Sequence, residues 1–306
     1  MKLLQLALFG FACALPQPSS DKPFDRFFVI TLENTDYEDV LADPYFKSLV
    51  PRGRLLTNSH GVTHPSQPNY ITMTSNTAWG TFFNFKANFD RENIADTLEG
   101  AGKTWVSMQE NYPKDKGCFA GDSYPYVRKH NPFMSYNNIR NNPARCKKIV
   151  NADQLYVDIE KKQLADYVFY TPNMLNDGHD TSIQYASNWL KGFLEPLLAN
   201  PYFDRTLFVI TFDESEAFLG VIDFEGNHIY TLLIGSGVKA GTTDDTYYEH
   251  YSQMALLEKV WGLKSLGGKT KGPCSRFSHH DGDQRTGSSN SSIFETCRLF
   301  DPMEYT

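Results

Sequence analysis

Five short runs of β-branched and aromatic residues stand out along the chain: Arg26–Leu32, Thr104–Met108, Tyr167–Thr171, Thr206–Phe212 and Ile229–Ile234. Several are continuously apolar rather than alternating, which predicts strands covered on both faces. Between them, Ile94–Gly100, Ser182–Leu198 and Gln253–Trp261 place apolar residues at helical spacing. Strands alternating with helices predict an α/β domain, with a central mostly parallel sheet and helices on both faces. Residues 111–148 break the pattern. They are rich in Asn, Pro, Tyr and Lys with little periodicity, and are expected to form an irregular insertion or cap. Residues 264–292 read as a second polar loop, and no solenoid-type repeat is present.

Composition adds the class and compartment. The chain has 306 residues, 41% hydrophobic and 21% charged, which excludes a disordered, collagenous or coiled-coil protein. That length can bury a large core in one domain, expected over residues 15–306. The formal net charge of -7 argues against nucleic-acid binding and against charge-driven binding to anionic membranes. At the N-terminus one Lys precedes a short apolar run ending in Ala12-Cys13-Ala14, a small-x-small cleavage pattern. Residues 1–14 are therefore expected to be a removed signal peptide, and the protein secreted and extracellular, with cell-wall association left open. No other segment is apolar enough to span a bilayer, so no stable membrane insertion is expected. Beyond Cys13 four cysteines remain, and the sequence-near pairs Cys118–Cys146 and Cys274–Cys297 are the preferred disulfides of three connectivities. The absence of CxxC argues against a structural zinc knuckle, and Asn290-Ser291-Ser292 is a glycosylation acceptor.

The chemistry begins with a partial internal echo. Phe27–Asn34 reads FFVITLEN and Leu207–Glu214 reads LFVITFDE. Both are apolar strands that stop abruptly in hard oxygen ligands, Glu33-Asn34 and Asp213-Glu214. Strand C-terminal ends line the ligand crevice of an open parallel sheet. Three carboxylates gathered there repel one another and call for a divalent cation, Mg, Mn, Ca or Zn. The competing reading is that each acid caps the helix or loop behind it. The second feature is Ser59–Ser75, SHGVTHPSQPNYITMTS, in which Pro65 and Pro68 stiffen the backbone around Ser66. Ser66 then meets a helix start, a place that suits phosphate, with Asn69 one turn on. A Ser hydroxyl bound to a cation can attack phosphorus, whereas the bland alternative is a capping Ser in an ordinary turn. The third feature is Asp177-Gly178-His179-Asp180-Thr181-Ser182, after one strand and before a long helix. His179 there could bind phosphate, donate a proton or ligate metal, while Asp180 or Thr181 caps the helix. His60, His64, His228 and His250 are weaker signals taken singly.

Taken in order, these pieces resemble the phosphoesterase family of fungal and bacterial acid phosphatases and phosphatidylcholine-type phospholipases C, within the alkaline-phosphatase-like superfamily. The resemblance runs from about Phe27 to Leu263 and lies nearest the secreted fungal acid phosphatases. Glu33-Asn34 looks like the family's opening acid–amide pair, and Thr63–Tyr70 like its nucleophile segment. Asp177–Asp180 looks like its histidine motif, Asp213-Glu214 like its second metal-binding pair, and His250–Leu263 like its closing helix. The resemblance implies an alkaline-phosphatase-like fold and a metal-dependent acid phosphatase acting on small phosphate monoesters through a phosphoserine. It implies Ser66 and His179 as catalytic residues. Glu33, Asn34, Ser66, Asp213 and Glu214 would be metal ligands, and Asn69, Asp177 and His250 would lie on the substrate side. Asn76, where the family pattern has Gly, and Glu214, where it has His, are departures that leave local geometry and metal identity open.

A lipase-type elbow GxSxG is absent, as are the Arg-His-Gly of histidine acid phosphatases and the full dimetal signature around Gly226-Asn227-His228. Within the family a phospholipase C or phosphodiesterase is the alternative, for which the aromatic stretch 119–136 would supply an apolar mouth. In another class, a secreted binding protein on the same fold has no need of Glu33, Ser66, His179 and Asp213 together.

Overall fold

The computed structural model describes residues 22–75, 77–216 and 226–267. The signal segment, Asn76, Cys274, Cys297 and Asn290 lie outside the described residues. Ten strands are described: β1 Arg26–Leu32, β2 Arg54–Leu56, β3 Ser59–His60, β4 Trp105–Gln109, β5 Ile149–Asn151, β6 Tyr167–Thr171, β7 Thr206–Phe212, β8 Thr231–Gly235, β9 Thr242–Asp244 and β10 Tyr248–Glu249. Eight of them form one sheet in the order β5-β4-β6-β1-β7-β8-β2-β9, and β10 pairs with β3. All pairings in the large sheet are parallel except those of β8, which runs antiparallel to both β7 and β2. The helices are α1 Tyr37–Ala42, α2 Pro44–Leu49, α3 Ser66–Ser75, α4 Ile94–Gly100, α5 Asn137–Arg140, α6 Pro143–Cys146, α7 Gln154–Glu160, α8 Ile183–Leu198 and α9 Tyr251–Trp261.

The continuous apolar runs have the cause expected of them. Phe27 and Val29 of β1 face one core layer with Tyr70, Leu98 and Leu257 from α3, α4 and α9. Phe28, Ile30 and Leu32 face the other, with Val40, Phe46, Leu155 and Leu190 from α1, α2, α7 and α8. Side chains alternate across a strand, so helices on both faces demand apolar residues at every position. The two echoing runs are neighbours in register, from Arg26 opposite Thr206 to Leu32 opposite Phe212. Their polar ends therefore emerge side by side.

Three details depart from the sequence reading. The helix after Asp180 begins at Ile183 and is capped by Ser182, whose hydroxyl accepts from Tyr185 N at 3.3 Å, not by Asp180 or Thr181. Pro68 lies inside α3, in the first turn, where its missing N–H costs no helical bond. Residues 111–148 are irregular in secondary structure yet supply core: Tyr112, Tyr126, Phe133, Tyr136 and Ile139 pack in the same layer as α3. The Cys118–Cys146 disulfide closes this segment. All ten residues of α3 are buried, because this segment covers the side that the sheet does not. Its polar residues are satisfied locally: Thr72 Oγ1 donates to Asn69 O at 2.7 Å, and Thr74 Oγ1 meets Tyr136 Oη at 2.7 Å.

Candidate functional site

The site forms where β1, β7 and β6 end. Beyond β1 and β7 the ladder is prolonged by Asp213 N donating to Leu32 O at 3.0 Å, and Glu33 N donates to Asp177 O at 3.0 Å. Glu33, Asp177 and Asp213 are fully buried, and Glu214 is 1% exposed. Ser66 opens α3 against them. Its Oγ lies 3.0 Å from Glu33 Oε2 and 3.1 Å from Glu214 Oε1. A hydroxyl has one proton, so it can donate to only one of these carboxylates at a time. Asn34 completes this half: its N–H points to Asp213 Oδ1 at 3.3 Å and its Nδ2 donates to Glu214 Oε1 at 2.9 Å.

The second half joins Glu33 and Asp177 to a residue outside the sequence motifs, His130. His130, from a 3₁₀ turn at Arg128–His130, reaches Glu33 Oε1 with Nε2 at 3.0 Å and Asp177 Oδ2 with Nδ1 at 3.4 Å. The Tyr70 ring stacks on its face at 4.9 Å. One ligand atom each of Glu33, His130 and Asp177 lies within 4.8 Å of the others. His179 stands at the outer edge. Its Nδ1 faces Asp180 Oδ1 at 2.8 Å and its Nε2 faces Lys129 Nζ at 3.1 Å. The ammonium can only donate, so Nε2 accepts and Nδ1–H donates to Asp180.

Electrostatics distinguish these groups. Burial pushes Asp213 well up, and the charges of Glu33 and Glu214 add to it. Burial also raises Asp177, although His130 opposes it. For Glu33 burial is the largest influence and acts upward, but His130 and Lys129 together overcome it and hold the carboxyl down to about 2. His130 itself is raised: Glu33 and Asp177 outweigh the burial that would otherwise neutralise it. His250 has no such partner, and burial lowers it to about 4.

Several expected site residues also bond to other parts of the chain. Asn69 lies one turn from Ser66 and is bonded to the loop before it. Its Oδ1 accepts from Val62 N and Thr63 N at 2.9 and 3.1 Å, and its Nδ2 donates to Thr63 O at 2.7 Å. These bonds shape the loop and use one of the two Nδ2 hydrogens. His250 is buried, and its neutral Nε2–H donates to Asp213 O at 2.6 Å. Asp177 accepts from His179 N at 2.9 Å and faces His130. His64, a weak signal in the sequence, holds Glu214 Oε2 at 2.6 Å with Nδ1. Behind the Asp177 loop, half-buried Glu110 accepts from Asn173 N, Asn176 Nδ2, Tyr170 Oη and Trp189 Nε1. Lys129, His130 and Glu110 carry no periodic signature. The available clue to the first two was the aromatic content around them, which suits a core wall better than a loose cap.

Whether these residues suit a cation can be tested on their unsatisfied atoms. Glu33 Oε1, Asn34 Oδ1, Asp177 Oδ2 and Asp213 Oδ2 are buried and lack a hydrogen-bond partner. Orphaned hard oxygens converging from several elements suit a divalent ion, whose charge would offset their repulsion.

The chain matches the Phosphoesterase family over residues 35–264. It is 39% identical over 277 residues to a probable acid phosphatase of Kluyveromyces lactis, which covers 85% of this chain and 61% of that protein. An acid phosphatase of Aspergillus fumigatus is 39% identical over 260 residues, 80% of this chain and 56% of that protein. The chain thus spans between 56% and 61% of the length of these curated relatives. A solved member of the alkaline phosphatase superfamily from Vibrio parahaemolyticus superposes with a TM-score of 0.57 at 14% identity, over 79% of this chain and 67% of that one. That likeness shows the fold, which is alkaline-phosphatase-like.

Proposed function

This chain belongs to the Phosphoesterase family, and we propose that it is a secreted, metal-dependent acid phosphatase that hydrolyses small phosphate monoesters through a phosphoserine at Ser66. The observation that carries this reading is the Ser66 hydroxyl, buried and within 3.1 Å of carboxylates from both echoing strand ends. A serine at a helix start needs no such company if it only caps a turn.

In this reading Glu33, Asn34, Ser66, Asp213 and Glu214 hold a divalent cation, whose identity among Mg, Mn, Ca and Zn the donor set leaves open. When bound, that cation neutralises substrate and nucleophile charge and makes the Ser66 hydroxyl more acidic. Glu33 or Glu214 receives the Ser66 proton. Ser66 Oγ bonds to phosphorus as the bond to the leaving oxygen breaks, and the leaving alcoholate takes a proton from water. A water then attacks the phosphoserine, releasing phosphate and restoring the Ser66 hydroxyl. Lys129, 3.1 Å from His179, is the cation at the mouth, and the pair receives the phosphoryl oxygens and the leaving group. His130 holds Glu33 and Asp177 in place from behind, and His64 and His250 do the same for Glu214 and Asp213.

The test is hydrolysis of a phosphate monoester, a phosphodiester and a phosphatidylcholine, each before and after chelation, with metal analysis alongside. Monoester turnover that chelation removes is the expected result. Preference for the diester or the phospholipid would replace the phosphatase by the phospholipase branch, and no turnover of any would leave a binding protein.

A further inference from the structure

The least expected surface feature lies beside the mouth. Between α3 and α4, the segment Trp79-Gly80-Thr81-Phe82-Phe83-Asn84-Phe85 leaves four aromatic side chains in water, with Trp79 78%, Phe82 64%, Phe83 57% and Phe85 75% exposed. The rings pair among themselves: Trp79 meets Phe82 edge-on at 6.3 Å, and Phe83 lies 5.5 Å from Phe85. The base is tied down. Arg91 Nη2 donates to Trp79 O, Ser75 Oγ to Thr77 O at 3.1 Å, and Thr81 N to Ala78 O at 2.9 Å. Asn84 Oδ1 accepts from Gln67 N, next to Ser66, at 3.0 Å. The blade is thus a fixed projection joined to the nucleophile segment. An open cavity of about 230 Å³, lined by Gln67, Asn84, Phe85, Lys86 and Lys129 among others, runs from it toward the mouth.

Exposing four aromatics in seven residues is costly in water, and patches of this kind mark interaction sites. The geometry points to a lipid–water interface as the partner: we propose that this blade docks the protein reversibly on a membrane surface with the active-site mouth turned toward it. Three features favour lipid over a second copy of the chain. The four rings present on the order of 600 Å², below the roughly 800 Å² per partner of a standard protein interface. All four rings are more than half exposed and sit within one seven-residue loop, so they present apolar tips that headgroups can surround. Trp and Phe tips beside Lys86 and Lys129 match the apolar-plus-cationic chemistry of the headgroup boundary. The net charge of -7 makes insertion of the rings, not long-range attraction, the driving term, so binding should depend weakly on salt. No helix among the described residues is long and apolar enough to cross a membrane, and none is needed for such docking.

The test is co-sedimentation of the full chain with phosphatidylcholine vesicles, with and without phosphatidic acid, alongside turnover of a soluble monoester. The wild-type chain is expected to pellet, with tryptophan emission shifted to the blue. The quadruple variant Trp79→Ser, Phe82→Ser, Phe83→Ser, Phe85→Ser should lose at least about tenfold in partitioning, while soluble turnover stays within about twofold. Should that variant misfold by circular dichroism, Phe82→Ser and Phe83→Ser singly should each show part of the loss. Wild-type chain that stays in the supernatant overturns the proposal, as do folded variants that bind as well as wild type. A chain that sediments as a dimer dissociated by these substitutions also overturns it, since the blade is then an interface between copies. Vesicle binding without monoester turnover would sink the phosphatase and leave the surface standing.

Discussion

The two halves of the acid site are built by different means. The Ser66 half, with Asn34, Asp213 and Glu214, grows out of two strands in register and the first residue of α3, and its atoms bond mostly to one another. The His130 half, with Glu33 and Asp177, is assembled from a strand end, the loop after β6 and the irregular segment 111–148. Its facing atoms approach at 3.0 and 3.4 Å without the angles of hydrogen bonds. In the first half geometry comes from the sheet, and although His64 meets Glu214, burial and the neighbouring carboxylates still raise Asp213. In the second the compensating charge is on the protein, as the His130 imidazolium. One half is thereby held by the sheet, while the other is set by long-range contacts.

The largest effect expected is on the first half. Ser66→Ala should cut monoester turnover by about 10⁴-fold or more, with the thermal midpoint nearly unchanged. Retained turnover would remove Ser66 as nucleophile and with it the functional difference between the halves. His130→Gln tests the second half through stability. It leaves Glu33 and Asp177 buried without a counter-charge, and should lower unfolding free energy by about 3 kcal/mol. A divalent ion titrated into this variant should recover part of the loss, as read by thermal melting. No loss without the ion would mean that the imidazolium does not hold this half together. Asp213→Asn should lower metal content after dialysis and reduce turnover by about 100-fold; unchanged content and rate would refute it as a ligand. The smallest effect is expected at Glu110, which touches neither half but supports the Asp177 loop. Glu110→Gln turns an amide against the Asn173 and Asn176 donors and should cost about tenfold in kcat, with KM and metal content preserved. A shift confined to stability would make Glu110 structural only.

These halves also differ in how far they could be read from the chain. The paired motifs FFVITLEN and LFVITFDE disclose buried parallel strands and their acidic ends, because a strand covered on both faces must be apolar until it leaves the sheet. The helix at Ser66 is legible from its neighbours in the same way. Local pattern, however, specifies only local structure. That Lys129 and His130 reach Glu33 depends on how 119–136 folds over α3, a set of contacts between residues up to 97 positions apart (130 to 33) that leaves no periodic trace. The same holds for Asn69 and His250. Their residue types suit a phosphate, and only the structure shows that each also bonds to backbone, at Thr63 and at Asp213. The sequence by itself determined the sheet, the family and the chemical types gathered at its edge, since burial and strand period are properties of short segments. Only the tertiary structure decided which of those groups face one another, and so which carry charge, because a buried group's ionisation is set by neighbours that the chain brings from far away.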